Sequence, residues 1–230
     1  MKVDRLHGWQ VSAGRAREIQ NELAGRVSRI SEVGTPRFIA GADISVNRAT
    51  GIGTGAVVVL NYPELELVET SVVKDRLEFP YIPGLLSFRE VPLILAACEN
   101  INLSPDLILV DGHGIAHPRR LGLACHLGLL LKTPTIGCAK SRLCGQEELP
   151  GHEAGRYTEI IDRDEVIGVT LRTRRDVKPL YVSTGHKVDL HDAIHWVLMC
   201  CRGYRLPEPT RLAHLLAGGN LKQEVKEVAA

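Results

Sequence analysis

No stretch of this sequence approaches the roughly 20 consecutive apolar residues that a membrane span requires. The opening segment MKVDRLHGWQ also lacks the apolar run of a signal peptide. Cysteine is scarce and unpatterned: six residues, at 98, 125, 138, 144, 200 and 201, show no CxxC spacing. That argues against a disulfide framework and fits a reducing cytosol, so the expected location is cytoplasmic, with Cys200 and Cys201 packed in the core. No Pro/Gly/Ser-rich linker and no internal repeat interrupts the 230 residues, 44% of them hydrophobic. The expectation is one domain over 1–230, a monomer without membrane attachment, with about 221–230 as a flexible tail. An excess of either charge sign is missing too, the formal net charge being +1.

The distribution of charge says more than its sum. Between Asp111 and Glu147 there is no carboxylate, while Arg119, Arg120, Lys132, Lys140 and Arg142 fall there, and RTRRDVK follows at 172–178. Such one-signed segments form either a basic face for a polyanion or a solvated face whose counter-charges come from elsewhere in the fold.

Apolar periodicity supplies the architecture. Ala16, Ile19, Leu23, Val27 and Ile30 fall at helical spacing over 13–32, with Ser12 as cap. Strand-like runs follow at 37–46, 55–62 and 65–75, the last two joined by a hairpin turn at NYPE. Then helices near 88–101 and 119–131 alternate with strands 107–110 and 135–138. Strands near 158–162, 166–172 and 180–183 and helices near 190–202 and 208–217 complete the chain. An antiparallel meander feeding βαβ units makes an α/β fold, a mixed sheet flanked by helices.

Three acids are misplaced for a plain core. Strand alternation in FIAGADISV sets Asp43 in mid-strand among apolar residues, where an unpaired charge is costly. Asp111 ends the apolar strand LILV, at the carboxyl edge where α/β sheets bind ligands. Glu90 lies in SFRE at the start of a helix. Singly, each has a bland reading: a backbone- or arginine-bonded Asp43, a turn or capping Asp111, a first-turn Glu90 favoured by the helix dipole. Together they can converge on one sheet edge as hard oxygen ligands for Mg²⁺ or Mn²⁺. Such a site serves phosphoryl chemistry. Lys140, just past strand 135–138, can approach a phosphate there, and Arg119 and Arg120 can grip a nucleic-acid backbone. In FPYIPGLLSFRE, Pro80 and Pro83 stiffen an extended loop around Tyr81 and Ile82, suited to insertion into a base stack or simply to packing.

FIAGADIS, PYIPGLLSFRE, VDGHGIAHPRRLGLACHLGLLL, PTIGCAKSRLCG, PLYVSTGHKVDL and GYRLPEPTR resemble, in order over about residues 10–215, the signature segments of the endonuclease V family, the deoxyinosine 3′ endonucleases. The resemblance implies a ribonuclease H-like fold and a Mg²⁺-dependent enzyme (Mn²⁺ substituting). Its reaction is cleavage of the second phosphodiester bond 3′ to a deaminated base, leaving 3′-hydroxyl and 5′-phosphate ends. The implied partner is deoxyinosine-containing DNA, with inosine RNA as a second substrate. It further implies Asp43, Glu90 and Asp111 as metal-site acids, with Lys140 as the accompanying catalytic lysine. Tyr81 becomes the strand-separating wedge, and His117 in GIAHPRR matches a conserved histidine. Pro80, Ile82, Pro83, Gly84 and Leu86 fall in the lesion-binding loop. His214 falls where the family places a further polar residue near the metal, although relatives often carry Asp there.

Chemistry constrains the base pocket. Hypoxanthine presents an O6 acceptor and an N1–H donor, and adenine the reverse, so a main-chain N–H and carbonyl pair would discriminate them. Gly84, Gly112 and Gly137 flank the proposed site and permit close backbone approach, and a flipped nucleotide is expected. Two other readings compete. HDAIH (191–195), with His186 upstream, approximates zinc-hydrolase spacing, but Asp192 replaces the glutamate and no further ligand is evident. A non-catalytic nucleic-acid binder is the third, and all three acids being present weighs against it.

Overall fold

The computed structural model describes residues 1–221. Its strands are Phe38–Val46 (β1), Ile52–Asn61 (β2), Leu67–Arg76 (β3), Leu107–Val110 (β4), Thr135–Ala139 (β5), Tyr157–Asp162 (β6), Glu165–Leu171 (β7) and Leu180–His186 (β8). Its helices are Ala13–Ala24 (α1), Leu86–Glu99 (α2), Leu123–Leu131 (α3), Leu190–Met199 (α4) and Glu208–Ala217 (α5). All eight strands join one sheet in the order β3-β2-β1-β4-β5-β8-β7-β6. β1, β4 and β5 run parallel, and antiparallel strands complete both edges. This is the mixed α/β sheet expected.

Alternation along the central strands splits the core in two. Ile39, Leu107, Leu109 and Ile136 face α4 and α5, whereas Ala40, Ala42, Ile108 and Val110 face α2 and α3. Asp43 and Asp111 continue the first series. Helix α5 presses on β1 so closely that a Cβ at Gly41 would lie 1.9 Å from the Pro209 carbonyl oxygen. A glycine two residues before Asp43 thus lets α5, and His214 on it, reach the end of the strand.

Several boundaries differ from the periodicity. Helix α1 stops at Ala24, before Gly25. The 28–32 segment is instead drawn to the end of β8 by bonds from Ser28 N–H to His186 Nδ1, from Lys187 N–H to the Ser28 carbonyl and from Glu32 N–H to the Lys187 carbonyl. Ile30, expected on the apolar stripe, is 78% exposed. Helix α3 starts at Leu123 rather than 119, because Arg120 adopts a left-handed φ of 54° and Gly122 is the N-cap. Helix α4 ends at Met199, leaving Cys200 buried and Cys201 half-buried. Leu221 packs against the core, and 222–230, the rest of the expected tail, lie outside the described residues. Among the described residues no helix is long and apolar enough to cross a membrane.

Much of the expected basic face is neutralised by partners, some local and some remote in sequence. Lys132 meets Asp4 at 2.7 Å, Arg142 meets Glu147 at 3.9 Å, and Arg175 meets Glu153 and Asp176. Arg172 is buried and donates to the carbonyls of Pro150 and Gly151. Arg120 is the most engaged: its guanidinium donates to Asp162 Oδ2 at 2.8 Å, Glu165 Oε2 at 2.7 Å and the His117 carbonyl at 2.9 Å. It ties the turn before α3 to the β6–β7 hairpin rather than standing open to a phosphate.

Arg120→Ala therefore strips partners from two half-buried carboxylates and should destabilise the fold by about 1–2 kcal/mol, or about 2–8 °C in Tm. The salt dependence of nucleic-acid binding should stay that of the parent. Thermal melts beside binding isotherms at several salt concentrations check this, and a shallower salt slope would restore Arg120 to the phosphate grip.

Candidate metal centre and base pocket

Strand register builds the centre. Ala42 pairs with Val110 in the parallel β1–β4 ladder, so the next residues, Asp43 and Asp111, emerge side by side, with Asp111 N–H donating to the Ala42 carbonyl at 3.0 Å. Val110 pairs in turn with Gly137 of β5, and Lys140 follows that strand. Three adjacent parallel strands thus deliver two acids and a lysine to one edge. Helix α5 adds His214, whose Nδ1–H donates to Asp43 Oδ2 at 2.7 Å. Lys140 Nζ forms an ion pair with Asp111 Oδ2 and stands 3.3 Å from the His214 ring.

Ligand atoms of Asp43, Asp111 and His214 all lie within 4.8 Å of one another. Asp43 is 8% exposed, and burial beside Asp111 pushes its carboxyl up to about 6, against relief from His214, Lys140 and the Ile44 N–H. Glu90, on the first turns of α2, is not part of that close cluster. Its carboxyl is nonetheless pushed up to about 8 by burial and by the charges of Asp43 and Asp111, and no hydrogen bond or ion pair reaches it among the described residues.

These residues suit a hard divalent cation. The donors are mainly carboxylate oxygens, and the protein's own cationic and N–H groups already sit where positive charge is favoured, Lys140 on Asp111 and His214 on Asp43. Asp111 Oδ2 is buried, and among the described residues the Lys140 ammonium is the group that faces it.

Beside the acids lies a cavity of about 280 Å³, bordered by Tyr81, Gly84, Leu86, Asp111, Gly112 and Lys140 among others. The loop on its rim is held from below. Gly84, with φ of 77°, directs its carbonyl at three donors: Arg119 Nη2 at 2.7 Å, His117 Nε2 at 2.9 Å and Gln20 Nε2 at 3.0 Å. Arg119 N–H donates to His117 Nδ1, which fixes the His117 tautomer with its proton on Nε2. Burial holds that imidazole down to about 4, hence neutral. Arg119 Nε donates to Gln20 Oε1 at 2.6 Å. Ile82 packs into the apolar cluster with Leu85 and Phe88, while Tyr81 projects outward, 70% exposed, between exposed Pro80 and Pro83.

Of the residues expected here, Asp43, Asp111, Lys140 and His214 meet at one point, with Glu90 beside them. Tyr81, Pro83, Ile82, Gly84, Leu86, Gly112 and His117 border the cavity. Gly137 lies beneath it: a Cβ there would come 2.4 Å from Gly114 N, so it lets the 112–114 turn settle on β5. Arg119 spends its guanidinium on the loop. Sequence reading missed Gln20, 1% exposed, and His113, which lines the cavity and is held neutral by burial. A signal for Gln20 existed, since it falls on the stripe of Ala16, Ile19 and Leu23 as its one polar member. The zinc alternative does not assemble: His186 is buried and accepts from Ser28 N–H, His195 stacks edge-on with Trp196, and His191 is 92% exposed beside Asp192.

Comparison with known proteins agrees with this geometry. Residues 21–215 match the family profile described as Endonuclease V. The chain is 51% identical over 217 residues to Endonuclease V of Dehalococcoides mccartyi, covering 94% of this chain and 97% of that one. The crystal structure of Endonuclease V from Bacillus subtilis superposes with a TM-score of 0.91 at 33% identity, covering 95% and 96% of the two chains. That of Ciona intestinalis Endonuclease V, in complex with a 24mer DNA containing an inosine followed by a ribo-adenosine, gives 0.77 at 29% identity, covering 90% and 96%. Near-complete coverage at this identity, on the same mixed sheet, means that this chain belongs to the endonuclease V family of nucleases.

Proposed function

We propose that this protein is a metal-dependent DNA-repair endonuclease that recognises deaminated bases, chiefly hypoxanthine. It hydrolyses the second phosphodiester bond 3′ to the lesion, leaving 3′-hydroxyl and 5′-phosphate ends, and acts on inosine-containing RNA as well. The observation that carries this reading is the convergence of Asp43, Asp111 and His214 within 4.8 Å beside a base-sized cavity. Asp43, Asp111 and Glu90, with His214, would hold Mg²⁺ or Mn²⁺, which when bound neutralises phosphoryl charge and activates water.

The rest falls to the chain's own groups. Lys140, on Asp111 in the free protein, offers its ammonium to the scissile phosphate. Tyr81 fills the gap left in the stack when the lesion swings into the cavity, and the flanking prolines keep it extended. The Gly84 carbonyl is spent on three donors and the Gly112 N–H on the Val110 carbonyl. The Gly84 N–H and the Gly112 carbonyl carry no hydrogen bond among the described residues, leaving one donor and one acceptor. Hypoxanthine's O6 and N1–H need that pair, and adenine offers the reverse.

Cleavage of matched deoxyinosine and inosine oligonucleotides, mapped to the nucleotide, tests the activity. The parent should cut immediately 3′ of the lesion's 3′ neighbour, at the second phosphodiester bond. Asp111→Asn should lower cleavage by about 10³-fold or more while retaining lesion binding, since phosphate contacts supply most affinity. A cut elsewhere, or Mg²⁺-dependent turnover by the variant, counts against the assigned site.

Tyr81→Ala should lose more discrimination for hypoxanthine in a duplex than in a single strand, because unstacking costs a few kcal/mol, about 2–3, only in the duplex. Equal losses on both would reduce Tyr81 to a packing residue.

The carboxyls generate a pH dependence. Asp43 and Glu90 titrate near 6 and 8 in the folded chain against ordinary values of 3.8 and 4.5. Between those limits the folded state keeps protons that the unfolded state has released, so raising the pH destabilises the metal-free protein. From about pH 6 to pH 8 the loss should be about 2 kcal/mol, a Tm fall of about 4–8 °C in chelator, and saturating Mg²⁺ should remove most of it. Melts with and without Mg²⁺ across that range decide: a metal-induced rise in Tm that does not grow with pH would separate these acids from the metal.

A further inference from the structure

A second cavity, of about 560 Å³, is bordered by Val46, Arg48, Tyr81, Arg89 and Glu90. Tyr81 borders both it and the base cavity. β1 connects the two chemically, for it carries Asp43 and three residues later Val46. Arg48 stands in the turn that follows. That turn is firmly built: Asn47 Oδ1 accepts from the N–H groups of Ala49 and Thr50 at 3.0 and 3.2 Å, and Gly51 N–H donates to the Asn47 carbonyl at 2.9 Å. It presents Arg48 exposed, with no hydrogen bond or ion pair among the described residues. Arg89 differs, since its Nη1 donates to the Phe79 carbonyl.

We infer that Arg48 binds substrate, holding a backbone phosphate of the cleaved strand on the 3′ side of the scissile bond, in the groove bordered by Glu90. The inference rests on the nuclease reading above, which puts the lesion in the first cavity and the reacting phosphate at the acids. A strand that enters at the lesion and crosses the acids toward its 3′ end continues into the second cavity. Its phosphates are anionic, and the groove offers them an uncommitted guanidinium beside a second arginine. The arginines that follow Asp111 in sequence are occupied elsewhere, Arg119 by Gly84 and Gln20 and Arg120 by Asp162 and Glu165. Arg48 has no such duty in the fold.

The test uses the full chain with Mg²⁺ and two single-stranded deoxyinosine oligonucleotides. One extends well past the cut; the other ends at the first nucleotide beyond it. On the long substrate Arg48→Ala should weaken binding and raise KM about fivefold, the worth of one solvent-exposed ionic contact, with kcat within about twofold. The slope of log affinity against log salt should become shallower by about 0.7. Arg48→Lys should recover most of the affinity. On the short substrate parent and variants should be alike, and all should melt alike. Equal losses on both substrates, or an unchanged affinity and salt slope on the long one, would overturn the assignment. A parent that does not prefer deoxyinosine over deoxyadenosine oligonucleotides would instead remove the nuclease reading and this inference with it.

Discussion

Buried carboxylates that repel one another govern the centre of this molecule. The parallel β1–β4 register puts Asp43 and Asp111 next to each other on one sheet face, and α2 brings Glu90 to the same edge from the other face. Left alone, such a group would drop its charges. Asp43 and Glu90 are indeed driven toward the neutral form; at Asp43 this is opposed by Lys140 after β5 and His214 on α5, and at Glu90 by the charge of Arg89. The surrounding architecture can be read as the means of holding that frustrated cluster. β4 and β5 are short and wholly buried, their ends fixed by the ladder on either side. Helix α5 approaches β1 at Gly41, so the histidine one turn beyond that contact has little freedom to retreat. A cation held there would relieve that repulsion, so the arrangement suits a cation site at the cost of metal-free stability.

The base cavity depends on a different kind of support. Gly84 has a left-handed backbone and a carbonyl shared by Arg119, His117 and Gln20, which come from the turn before α3 and from α1. Through that single oxygen the loop carrying Tyr81 is fixed to two elements that hold no metal-site acid. The cavity and the acid centre therefore rest on separable supports that meet at Asp111, Gly112 and Lys140, where the cavity wall becomes the ends of β4 and β5.

What the sequence disclosed, it disclosed through periodicity and through residues that violate it. Asp43 stood out because it interrupted an alternating apolar strand, and Asp111 because it ended the unbroken apolar run LILV. The mixed character of the sheet, a meander feeding βαβ units, was readable from the same periodicity, whereas the order of its strands was not. Less could be read where tertiary contacts overrode local pattern. Val27 and Ile30 continue the α1 spacing, yet the segment is claimed by β8 through three hydrogen bonds around Ser28 and Glu32. Arg119 and Arg120 looked like a phosphate clamp because their partners, Gly84, Gln20, Asp162 and Glu165, lie 35 to 99 residues away. A run of like charge along the chain does not reveal which carboxylates the fold will bring to it. Gln20 was invisible for a related reason: one polar residue on an apolar helix face reads as noise until the carbonyl it serves is known.

The same contrast bears on where a nucleic-acid strand can be held. Cations close to the acids in sequence have been taken up by the fold, where each pins a loop or hairpin that must not move if the two aspartates are to stay in register. Free cations should then be sought on segments whose own backbone is already satisfied. The β1–β2 turn is such a segment, since Asn47 closes it without help from any arginine. A charge placed there can be spent on a ligand without loss to the fold, whereas the charge of Arg120 cannot. In a protein whose net charge is only +1, that division of labour, rather than the number of basic residues, determines where a polyanion can bind.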